Sequence, residues 1–246
     1  MNTENKFNEH QGHWMLAKLG KRVLRPGGRE LTEKLIAGLK ITPEDDIVEF
    51  APGLGFTANI ACGYRPKSYT GVDLNDQAAT IARKRIKYDK AKIINANAAQ
   101  STLPDAYADR VYGEAMLTMQ GEKAKRAIIS EAVRLLAPGG RYAIHELALQ
   151  PDDIDEELHT RIRQDLARAI HVNARPLTCE QWAELLEECG LVVETIQTAP
   201  MALLDFSRNV RDEGFVQTLR IIRNVLSDRE LRARVLGMRK TFRTYQ

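Results

Sequence analysis

The chain has 246 residues, 43% of them hydrophobic and 28% charged, with a formal net charge of +3. That balance suits one large globular domain, or one domain with a substantial cap, and argues against disorder. So small a net charge makes no case for nucleic acid, no stretch approaches the roughly 18 uninterrupted apolar residues of a membrane span, and the first residues lack a charged-then-apolar secretory signal, so the cytoplasm is the expected compartment.

Residues 1–40 read as a helical cap. Trp14, Leu16, Leu19 and Val23 form a loose apolar stripe that breaks at Arg25-Pro26-Gly27-Gly28, and a second helix over 30–39 puts Leu31, Leu35, Ile36 and Leu39 on one side. His10, Gln11, His13 and Trp14 in this cap are placed to act as a lid over a ligand. Residues 41–200 then alternate short apolar runs with amphipathic segments. Strands are expected over 47–50, 69–74, 92–95, 110–113, 141–147 and 191–198, and helices over 57–64, 76–88, 123–136 and 179–189. This alternation predicts an α/β fold with a doubly wound, mostly parallel sheet covered on both faces. An insert at 151–175, acidic and then helical, separates the fifth and sixth strands. Residues 201–246 form a helical C-terminal segment, periodic over 206–226 and 229–244. From 203 to 246 there are ten basic residues against five acidic ones. That surplus is read as a solvated helical face, or as a surface for weak contact with anionic lipids or an acidic partner. Cys62, Cys179 and Cys189 are isolated and lack CxxC spacing. They predict reduced structural thiols, with neither a disulfide framework nor a metal site.

The most informative stretch runs Asp46-Ile-Val-Glu-Phe-Ala-Pro-Gly-Leu-Gly-Phe56. An apolar run carries the acid Glu49 to the edge of the sheet. Gly53 and Gly55 follow, and without a Cβ their backbone can turn tightly and approach a ligand. The second strand ends at Asp73, where a carboxylate can accept both hydroxyls of a ribose; its alternative role is to cap the helix that follows. After the third strand, Asn97 in Asn95-Ala-Asn-Ala-Ala99 could meet an adenine amine, or could be an ordinary turn residue. Leu135-Leu-Ala-Pro-Gly-Gly-Arg-Tyr-Ala-Ile144 reads as a helix end, a Pro-Gly-Gly turn and a buried strand.

Together, in this order and spacing, Glu49-Phe-Ala-Pro-Gly-Leu-Gly55, Gly71-Val-Asp73, Asn97-Ala98 before Leu103-Pro104, and Leu136-Ala-Pro-Gly-Gly140 resemble a class I S-adenosylmethionine-dependent methyltransferase. Within that class they are similar to the small-molecule enzymes related to ubiquinone and menaquinone methyltransferases. The resemblance implies S-adenosyl-L-methionine as cofactor and S-adenosyl-L-homocysteine as product. Ala51, Gly53 and Gly55 would approach the methionine part, and Glu49 would order that loop and the cofactor ammonium. Asp73 would hold the ribose, with Leu74 beside it in the cofactor set, and Asn97 and Ala98 would meet the adenine. Gly113 and Glu114 would lie near the methionine end and the acceptor. Two departures are mild: Ala51 stands where the family has its first glycine, and Asn97 where an acid is frequent. A third is larger. The family's sheet ends in an antiparallel last strand, and none is recognisable after 198, so the chain is truncated, another segment fills the slot, or the sheet is short.

Gly53-Leu-Gly-Phe-Thr-Ala58 also fits a nicotinamide dehydrogenase, a motif that is weak by itself, and no phosphate-binding Gly-x4-Gly-Lys-Ser/Thr occurs. A non-catalytic cofactor-binding protein is the other alternative. If the acceptor needs a base, Glu114, His145, Glu146 and His171 are the candidates, and Met116 and Met119 could line an apolar pocket. The expected acceptor is a small, partly apolar molecule, and the expected state a monomer or homodimer.

Overall fold

Five short apolar runs, each bounded by turn residues, become the strands of one parallel sheet in the computed structural model, which describes residues 19–21, 27–202 and 204–245. The strands β1 (Asp46–Phe50), β2 (Ser68–Asp73), β3 (Ala91–Asn95), β4 (Ala108–Glu114) and β5 (Leu136–His145) stand in the order β3-β2-β1-β4-β5. Every pairing is parallel. Phe50 lies opposite Val72 and Gly113, Asp73 opposite Asn95, and Glu114 opposite His145. One edge of the sheet therefore collects Phe50, Asp73, Asn95, Glu114 and His145. Strand order reverses at β1, where an open parallel sheet takes its ligand.

The first helices are α1 (Gly28–Leu39), α2 (Phe56–Cys62), α3 (Asp76–Arg85) and α4 (Glu122–Leu135). Side chains of β1 alternate between two cores, as the two-residue period of a strand requires. Ile47 joins Ile36, Leu39, Ala58, Ala61 and Ala82 under α1, α2 and α3. Val48 and Phe50 join Val111, Ile129 and Leu135 under α4 on the other side. Both faces are covered, so the central strand reads as a nearly continuous apolar run.

Two short strands of two residues each, β6 (Ala148–Leu149) and β7 (Leu177–Thr178), close the insert around α5 (Glu156–Ile170). Then α6 (Cys179–Glu188) opens on a capping box in which Thr178 and Gln181 satisfy each other's backbone N–H groups. The C-terminal helices are α7 (Phe206–Glu213), α8 (Phe215–Ser227) and α9 (Arg229–Thr244). A third apolar cluster, with Leu19, Ile162, Leu166, Met238 and Phe242, fastens α9 to the insert. On α7, Asp212 accepts the N–H of Arg29 at 3.0 Å and so caps the start of α1 from across the fold.

Three expectations are corrected. The sixth strand over 191–198 does not form: among the described residues the sheet has five strands, and this segment joins no ladder. Its alternating apolar residues mark a chain able to pair, but a strand exists only with a neighbour to bond. Here Val192 is 87% exposed, and the segment is tied to β5 by the Glu194–Arg141 ion pair at 2.6 Å. The Pro-Gly-Gly turn is absorbed into β5, which starts at Leu136 rather than 141 and carries a register irregularity between Ala108 and Arg110 of its partner. The single helix expected over 206–226 is two, broken at Gly214 with φ 83°. The lid residues His10, Gln11, His13 and Trp14 lie outside the described residues.

Candidate active site

The turn after β1 is left-handed three times. Ala51, Gly53 and Gly55 have φ of 54°, 53° and 74°. Ala51 is held there by its N–H, which donates to the Val72 carbonyl at 2.8 Å, so the turn is anchored to β2. For a residue with a Cβ this conformation costs about 1–2 kcal/mol, which gives the alanine-for-glycine departure a physical price. Gly55 precedes α2, and a Cβ there would lie 2.9 Å from Ile86 Cγ1, so the position needs glycine for both conformation and space.

Across the turn, Asp73 is 7% exposed and accepts the N–H of Asn75 at 2.9 Å and that of Gly53 at 3.4 Å. Burial raises its carboxyl above the ordinary value, and those two backbone donors oppose the rise. The cap of α3 is Asn75, not Asp73. Leu74 is 56% exposed, a large apolar side chain displayed beside that carboxylate. Asn95, which the sequence reading passed over, holds the end of β2 by donating its amide to the carbonyls of Asp73 and Leu74 at 3.0 and 3.1 Å. Asn97 uses its side-chain oxygen in a local turn with the N–H of Ala99 at 2.9 Å, and Ala98 is buried.

Glu49 is 3% exposed and points into the α1–α3 face of the sheet. Its Oε2 accepts the hydroxyl of Tyr112, directly opposite on β4, at 2.7 Å, and that of Tyr69, diagonal on β2. Both phenols are driven well above their ordinary pKa, by burial first and by the Glu49 charge second. Below them, burial pushes the Cys62 thiol up to about 12, which leaves it an inert packing residue. A tyrosine on the buried face of each neighbouring strand is the signal that Glu49 is anchored from within the sheet.

The ends of β4 and β5 bring Glu114 and His145 together. Glu114 Oε1 lies 2.8 Å from His145 Nδ1 and accepts the Thr32 hydroxyl of α1 at 2.7 Å, while its Oε2 accepts the Thr57 hydroxyl of α2. Both side chains are buried, at 5% and 2% exposed. His145 Nε2 is enclosed without a hydrogen-bond partner, and a Cβ on Gly27 would come within 3.1 Å of it. Gly27, with φ 69°, therefore brings bare backbone over the imidazole. Gly113, just before Glu114, packs against Phe50 and Met116. Thr32 and Thr57 were not foreseen. Their trace in the sequence is one hydroxyl on the buried stripe of α1 and one two residues beyond Gly55.

Glu146 has another task. Its carboxylate accepts the N–H groups of Met116, Leu117 and Thr118 at 3.0, 2.8 and 2.9 Å and the Thr118 hydroxyl at 2.7 Å, which fixes the loop after β4. Burial raises its carboxyl and these four donors pull it back. His171 is exposed at the C-cap of α5, in a left-handed conformation.

A family model described as a methyltransferase domain matches residues 48–144, the span from β1 to the end of β5. An uncharacterized protein of Haemophilus influenzae is 34% identical over 235 residues, 94% of this chain and 91% of that one. A Mycolicibacterium smegmatis protein named "Probable S-adenosylmethionine-dependent methyltransferase" is 29% identical over 154 residues, 61% of this chain and 52% of that one, so the chain spans about half of that relative. The chain belongs to the class I S-adenosylmethionine-dependent methyltransferases. Its cofactor is S-adenosylmethionine, and the dehydrogenase reading of Gly53–Ala58 falls. Among solved structures, Haemonchus contortus phosphoethanolamine N-methyltransferase 2, in complex with phosphomonomethylethanolamine and S-adenosylhomocysteine, is similar with a TM-score of 0.72. That likeness covers 98% of this chain and 55% of the other at 15% identity, and it speaks for the fold of the methyltransferase alone. Among its described residues, no helix is long and apolar enough to cross a membrane, and no group of three or more His, Cys, Asp or Glu could hold a metal ion.

Proposed function

We propose that this enzyme methylates a small, partly apolar molecule in the cytoplasm, in the manner of the quinone-type enzymes that its motifs resemble. The observation that carries the reading is the contact of Glu114 with Thr57, two residues beyond Gly55, and with His145. It sets a proton-accepting pair against the glycine turn.

The residues fit the cofactor. The Asp73 carboxylate has about four lone-pair positions and spends two on backbone donors, one of them at 3.4 Å, so it keeps capacity for two ribose hydroxyls. Leu74 offers an apolar surface to the adenine, Asn97 and Ala98 its edge contacts, and the turn from Ala51 to Gly55 a bare backbone for the methionine part. Glu49, anchored by Tyr69 and Tyr112, holds the floor of that turn. Bound S-adenosylmethionine supplies a methyl group already activated by its sulfonium charge.

What the chain adds is position, exclusion of water and a proton acceptor. With Nδ1 bonded to the Glu114 carboxylate, His145 keeps its hydrogen there and leaves the Nε2 lone pair to take a proton from an acceptor hydroxyl or amine. Glu114 orients the ring, and Gly113 leaves room beside it. Glu146 fixes the loop that carries Met116 and Met119 as one wall for the acceptor. Nε2 lies under Gly27, and we infer that this end of the helical cap yields when the acceptor enters. His171 takes no part.

The test is calorimetry followed by turnover. S-adenosylhomocysteine is expected to bind in the micromolar range, about −8 kcal/mol, with no heat from NADH. S-adenosylhomocysteine release is then measured with a panel of small phenols, hydroxyquinones and amines. Cofactor binding without turnover on any member removes the proposed acceptor class.

A further inference from the structure

The outward face of α8 is reversed for a helix in water. Phe215, Leu219, Ile222 and Leu226 recur at i, i+4, i+7 and i+11, one stripe along one side. They are 59%, 47%, 37% and 60% exposed, and neighbouring Val216 is 73% exposed. The side towards the protein is mixed, with Ile221 and Val225 packed on the third apolar cluster beside polar residues. Thr218 is buried, and Gln217 and Asn224 donate their amides to the carbonyls of Gly20 and Leu19 at 2.6 and 3.1 Å. An exposed apolar stripe of this kind marks a surface that something covers.

The charges say what kind of surface. Arg220 and Arg223 are exposed along one flank of the stripe, and α8 contains no acidic residue. Over 214–246 there are eight basic residues against two acidic ones, Asp228 and Glu230. Those two sit at the start of α9, where Asp228 is occupied capping the helix. The nearest acids on α7, Asp212 and Glu213, are turned inward. A second copy packed antiparallel on this stripe about a two-fold axis would bring Arg220 and Arg223 against their own images, with no carboxylate of α8 to offset them.

We propose that α8 docks on an anionic lipid surface. The helix lies in the membrane plane, with Phe215, Leu219, Ile222 and Leu226 at the acyl boundary and the arginines reaching back to lipid phosphates. Its 13 residues span about 20 Å, enough to seat all four apolar side chains at one depth. The helix break at Gly214 sets α8 apart from α7, which stays anchored on α1.

The test is co-sedimentation of the whole chain with vesicles of phosphatidylcholine alone and of phosphatidylcholine mixed with phosphatidylglycerol. The enzyme is expected to sediment with the mixed vesicles and to be released by salt. Leu219→Ser/Ile222→Ser weakens binding by more than about tenfold, because it removes two of the four apolar anchors. Arg220→Glu/Arg223→Glu weakens binding to the mixed vesicles by at least about tenfold. Both variants keep the wild-type circular-dichroism melt and S-adenosylhomocysteine affinity, since all four residues are exposed and none belongs to the cofactor site or an apolar core cluster. No binding to mixed vesicles overturns the proposal, as does salt-sensitive binding that survives Leu219→Ser/Ile222→Ser. A dimer in sedimentation velocity that this double variant dissociates assigns the face to a second copy.

Discussion

Asp73 separates function from stability in a single substitution. Its carboxylate is 7% exposed and accepts two backbone N–H groups, and burial holds its pKa above 3.8. Asp73→Asn keeps the shape and one acceptor oxygen but removes the charge, and it turns a donor towards one of the ribose hydroxyls. A hydrogen bond to a charged group contributes about 1.5–3 kcal/mol, and part of one survives in the amide. S-adenosylhomocysteine affinity should therefore fall by about 1–3 kcal/mol, roughly 5- to 150-fold. Stability moves the other way. A carboxyl with a raised folded-state pKa stabilises the fold through its bound proton. That contribution is full below 3.8 and is lost as pH rises through the folded pKa. The asparagine variant has no such loss, so its stability relative to wild type should improve across that window and stay level above it. Wild-type cofactor affinity should rise over the same window, because only the ionised carboxylate accepts both hydroxyls. Titration calorimetry at stepped pH gives the affinity, and urea unfolding of the cofactor-free enzyme gives the stability. Unchanged affinity in Asp73→Asn would take the ribose away from this residue.

Ala51→Gly should be neutral or stabilise by up to about 1 kcal/mol, since relief at φ 54° is partly offset by unfolded-chain entropy, whereas Ala51→Val should cost about 1–2 kcal/mol; thermal unfolding that ranks valine above glycine contradicts the strain. Glu114→Ala strips an acceptor from Thr32, Thr57 and His145 at once and should cost about 3–5 kcal/mol in chemical unfolding, against under about 1 kcal/mol for a side chain that only faces a ligand. Lys125 donates to the Arg175 carbonyl and stacks over Trp182, and burial lowers its pKa from 10.5 to about 8. The unfolded chain binds the extra proton between those values, so stability should rise with pH from about 8 to 10.5, and Lys125→Met should abolish that rise in unfolding measured across the window.

Elements driven by local chemistry were legible. The expected bounds of β1, β3 and α6 fall within a residue of those observed: Pro43 and Pro52-Gly53 bracket β1, the turn at Asn97 follows β3, and the Thr178–Gln181 capping box opens α6. The ends of Asp73 and Glu114 on one sheet edge followed from the parallel alternation alone. What escaped depends on contacts distant in sequence. Glu114 reads as a lone acid after a strand until Thr32, 82 residues away, and His145, 31 residues away, close on it. Glu49 reads as a ligand-facing acid until Tyr69 and Tyr112 claim it from beside and opposite. The segment at 191–198 has the composition of a strand and lacks only the neighbour, which composition does not record. Gly214 divides α7 from α8 because the left-handed residue outweighs the apolar period that continues across it.

The two loops that flank the reversal of strand order are built alike. Ala51 follows β1 and Ala115 follows β4, and both are left-handed without being glycine, at φ 54° and 51°. Each donates its N–H to the next strand, Ala51 to Val72 and Ala115 to His145, both at 2.8 Å. Each turn thus extends its ladder by one bond at the moment the chain leaves the sheet, and the bond holds a conformation that alanine would not choose. Beyond them, Gly53 leans on Asp73, and Met116 to Thr118 lean on Glu146. The strain and the bonds that hold it lie on the same few residues, which is how a binding floor is kept in shape before its ligand arrives. Over His145, among the described residues, the backbone of Gly27 comes close to Nε2, where a Cβ would lie 3.1 Å from it.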